Sequence, residues 1–356
     1  LVGWPLFLFT SVYNFVRIQA DPGHPAFCRQ VRLMAATPSN STPAVETVSA
    51  DFCSIKHPVF ILGMHRSGTT ILYEMLAAMG HWNTLWAWHV ASYDEIRAGE
   101  TEHAVSQAKF SQRLADAGME TRGVDAVKAG PKTKEEYCFI MDNKGFGNKL
   151  TENAFPLFQE ICEAVQSTQP EDRPLLLKNP WDFGNAHVIR QLIPTARFVY
   201  IHRHPIETVN SMWRFLNAAF QEPNAYMAMM SERYLDITQS RWKWGALRGF
   251  VRRFPGTFID GLIIWFGRNC DGYLKSINLV PESDRLEITY DQLCAQPNAT
   301  MERIRNQFSI ADNGVDFSGM VSRRSQKCDA IVAAKSGKIE QRMAAYLRKL
   351  EQFGNG

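Results

Sequence analysis

The sequence has no CxxC pair and no Cys/His cluster at metal-ligating spacing, which removes zinc ribbons and dithiol redox chemistry from consideration. Its seven cysteines (28, 53, 138, 162, 270, 294 and 328) are an odd number. They read as mostly buried free thiols and favour a reducing compartment. Two glycosylation patterns, Asn40-Ser-Thr and Asn298-Ala-Thr, point the other way, but a three-residue pattern arises easily by chance in a chain of this length. Charge of one sign is also missing: 39 Lys and Arg against 36 Asp and Glu leave a net charge of +3. That balance excludes a nucleic-acid coat and a strongly acidic partner, so any anion site must be local. No uninterrupted apolar run reaches the ~20 residues that span a bilayer. The longest candidate, residues 1–16 (LVGWPLFLFTSVYNFV), is broken by Pro5, Ser11 and Asn14.

The residues that are present suit a globular α/β chain. With 356 residues and 45% apolar content, it can bury an ordinary core. Residues 1–16 are open to three readings: a core helix, an interfacial helix making peripheral membrane contact, or the end of a removed signal. The expected location is cytoplasmic, with membrane association as an extension. A Golgi-type lumen is the alternative if the segment opening on Leu1 is a truncated anchor. A Ser/Thr/Pro-rich stretch follows (ATPSNSTPAVETVSADF) and reads as a linker, so the expected division is 1–56 and a single domain over 57–356.

Within that domain strand and helix signals alternate. PVFIL (58–62) is strand-like and TTILYEMLAAMG (69–80) helical, with Gly80 as its stop. PLLLKNP (174–180) precedes a helix over 182–192. ARFVYIHR (196–203) precedes a helix from Pro205 to Ala219, and RLEITY (285–290) precedes a helix over 297–308. The intervals 81–173 and 217–284 look like helical insertions, with 258–277 a strongly apolar helix. This pattern predicts an α/β fold with a central parallel sheet flanked by helices.

The loop between the first strand and helix, GMHRSGTT (63–70), has the spacing of a phosphate-binding loop without its lysine. Backbone N–H groups of such a loop converge on an anion at a helix N-terminus. Ser67, Thr69 and Thr70 supply hydroxyls, and Arg66 brings the positive charge in a planar fork. Thr69 at the lysine position argues against a Walker-type triphosphatase. Further along, Arg203 leaves a strand and Ser211 lies eight residues on, two helical turns into the next helix. Together they suit a second phosphate, away from the first loop.

FILGMHRSGTTILYEML resembles the 5′-phosphosulfate loop of sulfotransferases that use 3′-phosphoadenosine-5′-phosphosulfate, and FVYIHRHPIETVNSM resembles their 3′-phosphate motif. LLLKNPW is similar to the segment that places a lysine near the sulfuryl group. The bacterial-type branch with an RSGTT loop is the nearest likeness, over roughly residues 57–310. The resemblance implies a P-loop-like sulfotransferase fold and cofactor contacts from His65, Arg66, Ser67, Gly68, Thr69, Thr70, Arg203 and Ser211. It also implies the bisphosphate as product, no metal, no nucleic acid, and a hydroxyl acceptor that is a small molecule, lipid or glycan. Arg66 and Lys178 are the candidates for stabilising charge in the transfer.

That branch often carries an acid about 23 positions after the loop arginine; here the count reaches His89, a candidate base with an ordinary pKa near 6.5. Glu95 and then Asp142 rank behind it, and Glu136 lies in the same resembling segment as Asp142. Trp82, Trp86, Trp88, Trp181, Trp213 and Phe215 are available for stacking. No GxxGxWK loop is found, leaving Arg323, Arg324 and Lys327 or the KSGK at 335–338 as substitutes. Two other function classes stay open: a kinase or nucleotide hydrolase with a degenerate loop, and a nucleotide-binding module without catalysis.

Overall fold

The computed structural model describes residues 57–99, 101–123, 127–323 and 327–354. The 1–16 segment, the linker, Cys28, Cys53 and Arg324 lie outside the described residues. Five parallel strands form one sheet in the order β2-β3-β1-β4-β5. They are β1 (Val59–Leu62), β2 (Asn83–Thr84), β3 (Leu175–Lys178), β4 (Arg197–His202) and β5 (Arg285–Thr289). The central strands read as unbroken apolar runs because both faces are covered. Phe60, Leu62, Leu175, Leu177, Phe198 and Tyr200 point into one core. Val59, Ile61, Leu176, Val199, Ile201 and Ile288 point into the other. The expected α/β class is therefore present, built by period-two alternation onto two helical layers.

After β1 comes α1 (Thr69–Ala78), and Gly80 ends it at φ 67°, its N–H bonded to the Ala77 carbonyl. The two-residue β2 escaped the sequence reading because so short an edge strand carries no period. The Tyr73 hydroxyl fixes it in place, donating to the Leu176 carbonyl and accepting from the Leu85 N–H, both at 3.0 Å. The first insertion holds α2 (Ala87–Ala91), α3 (Tyr93–Ala98), α4 (His103–Asp116), α5 (Cys138–Asn143) and α6 (Phe155–Gln166).

The helix expected over 182–192 is shorter. A 3-10 turn (Pro180–Asp182) follows β3, and α7 spans Ala186–Leu192. The cause is Asp182, fully buried, whose carboxylate accepts from the Tyr137 hydroxyl, the Asn179 and Asn185 amides and the Leu150 N–H. A side chain anchoring four neighbours cannot also serve in a regular first turn. Burial pushes the Asp182 carboxyl up, against the pull of these donors.

α8 (Pro205–Ala219) follows β4 as expected. The second insertion holds α9 (Ala225–Met230), α10 (Glu232–Gln239), α11 (Arg241–Arg253) and α12 (Pro255–Ser276). After β5 come α13 (Tyr290–Ala295), α14 (Pro297–Phe308), α15 (Ala330–Ala333), α16 (Ser336–Arg342) and α17 (Ala344–Gly354). Among the described residues no helix is long and apolar enough to cross a membrane. The five described cysteines are free.

Candidate active site

The loop joining β1 to α1 turns where only glycine fits. A Cβ on Gly63 would meet the Ile201 carbonyl and the Ser67 hydroxyl at 2.6 Å, so its absence lets the loop lie against β4. Gly68 sits at φ +106°, against the Tyr290 ring. Arg66 is left-handed at φ 70°, rare for a residue with a side chain. That bend sends its guanidinium to α8, where Nε donates to Ser211 Oγ at 3.2 Å and the Phe215 ring lies 5.4 Å away. Arg203, at the end of β4, donates through Nη1 to the Arg66 carbonyl (3.2 Å) and through Nε to Glu207 (2.9 Å), and stacks 4.5 Å over Tyr290. The Arg203–Ser211 pair thus adjoins the loop; the expectation that it stands away from it is revised, because Arg66 bridges the two.

Inside the loop, the buried Ser67 Oγ and His65 Nε2 have no protein partner. A buried hydroxyl left unmatched is costly, so a ligand oxygen there would complete it. The His65 ring stands edge-on to Trp181 at 4.6 Å. Burial lowers its pKa to about 4, with Lys178 and Arg66 adding and Glu136 opposing, so it is neutral at pH 7.

Lys178 closes the other side. Its side chain is 0% exposed, its Nζ lies 3.2 Å from Glu136 Oε1 and donates to Thr70 Oγ1 at 3.2 Å. Although it ends β3, Lys178 is therefore a buried cation and not a solvated one. Glu136 is 16% exposed. Burial works to raise its pKa, but the Lys178 ammonium, with His65 and Arg122, holds the carboxyl below the usual range. It is therefore ionised at neutral pH. The adjacent Glu135 has other partners, taking Arg122 at 2.9 Å and the Tyr226 hydroxyl at 2.7 Å. One glutamate fastens the insertions together, and the next reaches the loop.

His89 is not brought to this cluster. Its Nδ1 accepts from the Trp86 N–H (3.0 Å), and its Nε2, which then carries the proton, bonds Thr168 Oγ1 (2.9 Å). Nδ1 is spent at the N-terminus of α2 and Nε2 on the turn after α6, and burial lowers its pKa to about 3. Its assignment as base is corrected on that ground. Glu95 is taken by Ser106 and Lys109, and Asp142 by Arg233. Glu136 was passed over in the ranking, although a lysine ending the apolar run PLLLK requires a buried counter-charge.

A cavity of about 390 Å³ opens beside Arg66, lined by Ser211, Arg214 and Phe215 of α8, by Glu222 to Asn224, and by Gly123. Phe215 thus lies at the site and Trp181 beside His65, whereas Trp82, Trp88 and Trp213 are core residues. Arg323 reaches Glu207 at 3.3 Å, next to Arg203. The Lys335 and Lys338 side chains are tied instead to Asp260, and the Lys327 carbonyl accepts from Asn210. Among the described residues no group of three or more His, Cys, Asp or Glu is placed to hold a metal.

Residues 58–313 match the profile described as the Sulfotransferase family. The chain belongs to this family. Its fold is similar to sulfotransferase STF1 from Mycobacterium tuberculosis H37Rv, with a TM-score of 0.55 at 17% identity, covering 82% of this chain and 77% of that one. It is equally similar to sulfotransferase STF9 from Mycobacterium avium, with a TM-score of 0.55 at 16% identity, covering 83% and 77%. At such identities the likeness speaks for the fold alone. No curated protein matched the sequence. The family's region spans every loop, strand-end and α8 residue of the cluster described above.

Proposed function

We propose that the chain transfers a sulfuryl group from 3′-phosphoadenosine-5′-phosphosulfate to a hydroxyl acceptor. The observation that carries the reading is the buried Lys178, held between Thr70 of the loop and the ionised Glu136. The donor supplies an activated sulfuryl group whose bond to the bridging oxygen breaks as the acceptor oxygen bonds to sulfur. Charge then builds on oxygens, and fixed cations in a water-poor site stabilise it. Lys178 and Arg66 take that role. Ser67, Thr69, Thr70 and the loop N–H groups hold the anion, with the orphaned Ser67 hydroxyl as the fitting donor.

Arg203 and Ser211 take the 3′-phosphate, with Arg66 as the link between the two subsites. Glu136, ionised and partly open, receives the acceptor's proton, a task for which a carboxylate within reach of the hydroxyl is suited. This replaces His89 in the role. The acceptor hydroxyl lies at Glu136 and Lys178, whereas the cavity beside Arg66, which Ser211 lines, lies on the 3′-phosphate side.

Calorimetric titration with adenosine 3′,5′-bisphosphate, and separately with ATP and magnesium, tests the donor class. Metal-independent binding of the bisphosphate is expected. Preference for magnesium ATP would put the kinase reading in its place. Bisphosphate binding without any release of sulfate or sulfated product from the donor would leave a binding module.

A further inference from the structure

The helix α11, RWKWGALRGFVRR, carries five basic residues and no acid. Its inner face is committed: Val251 is buried, and Trp244 packs 6.2 Å from Phe220 and 6.4 Å from Tyr234. Its exposed residues are Arg241, Trp242, Gly245, Gly249, Arg252 and Arg253. At 3.6 residues per turn these six fall within an arc of about 120°, so they make one continuous outward strip. Trp242 is 65% exposed, and Phe254, just beyond the helix, 49%.

The charges on this strip are uncompensated. Lys243, outside it, pairs with Asp236 at 2.6 Å. Among the described residues Arg241, Arg252 and Arg253 form no ion pair, and Arg253 lies over the Phe254 ring at 5.4 Å. A strip with Arg241 and Trp242 at one end and Arg252 and Arg253 about 15 Å along it has the make-up of a helix lying in a membrane interface, the indole at headgroup depth and the guanidinium groups on anionic headgroups. The two glycines keep the strip low, so the helix can lie flat. The chain's overall charge of +3 concentrates no comparable field for a nucleic acid.

We infer that the outward face of α11 docks this protein onto a bilayer containing anionic lipid. Through Trp244 the helix packs on Phe220, a neighbour of the cavity-lining Ala219 and Glu222. A docked α11 therefore holds the cavity beside the bilayer. The inference stands on charge and exposure, and holds whether or not the transfer reading does.

The experiment is co-sedimentation of the full chain with phosphatidylcholine vesicles, plain or carrying about 30% phosphatidylglycerol, the anionic lipid that a basic strip recognises. Binding to the anionic vesicles alone is expected, weakening as salt rises. The triple variant Trp242→Ala, Arg252→Gln, Arg253→Gln should bind them at least about 20-fold more weakly, from roughly five-fold per arginine alone. Far-UV circular dichroism and the urea-unfolding midpoint of the variant serve as its folding control, since all three side chains are exposed. Absence of binding to anionic vesicles would overturn the proposal. So would equal binding by the variant, which would assign the contact to another segment, or stronger binding to a DNA duplex than to the vesicles.

Discussion

His65 and His89 look alike by simple measures: each lies among tryptophans, and burial lowers the pKa of each, to about 4 and about 3. Their surroundings differ in one respect. At the β2–α2 corner both His89 nitrogens have protein partners, whereas in the loop His65 Nε2 and Ser67 Oγ have none. The His89 ring is satisfied by the protein itself; the loop is built for something else to complete. Burial alone does not mark a site, and unfinished hydrogen bonding beside uncommon backbone geometry does.

That contrast can be broken by substitution. Glu136→Gln should have the largest effect, lowering kcat by about 10²–10⁴ if it takes the proton, with the bisphosphate Kd unchanged; full activity would return the base to an open question. Lys178→Ala follows, at roughly 10²–10³ in kcat, read by release of the bisphosphate product from the donor. Ser211→Ala removes a hydroxyl that Arg66 already grips, and should weaken bisphosphate binding by about ten-fold, from roughly 1.5 kcal/mol for a charge-assisted bond, while sparing a nucleotide without a 3′-phosphate. Equal loss for both ligands would remove the subsite assignment. His89→Ala should leave turnover unaffected and cost about 1–3 kcal/mol of stability in urea unfolding, as buried partners lose their bonds.

The pH dependence sharpens the same division. Glu136 acts as a carboxylate and is held below the usual range, so kcat/KM should persist through the ordinary carboxylate range and fall only below it. Stability should respond earlier. His65, His89 and His202 are all depressed by burial, to about 4, 3 and 3. Their contributions are fully present above the unfolded value near 6.5 and are lost as pH falls towards the folded values. Denaturation midpoints measured between pH 7 and 4 should decline, and His89→Ala should flatten part of that decline.

The main strands and the helices that follow them were legible because each is a run of apolar residues bounded by Gly, Pro or a charge. β2 was not, since two residues have no period. Glu135 and Glu136 are identical side by side, and only the packing of the first insertion sends one to Arg122 and the other to Lys178. His89 stood at a suggestive count from Arg66, but counting along a chain does not report which way a capped helix turns its ring.

By itself the sequence determined the parallel sheet, the loop that lacks a Walker lysine, and the placing of Arg203 and Ser211 on one strand-to-helix unit, because local periodicity and spacing carry that information. Only the tertiary structure decided that Arg66 bonds both Ser211 and Arg203, that Glu136 rather than His89 faces Lys178, and that three arginines and Trp242 share the outward face of α11. The first two are contacts between segments distant in the chain, which no local pattern encodes; the third is a local helical spacing whose outward orientation is set by packing of the helix through Trp244 and Val251.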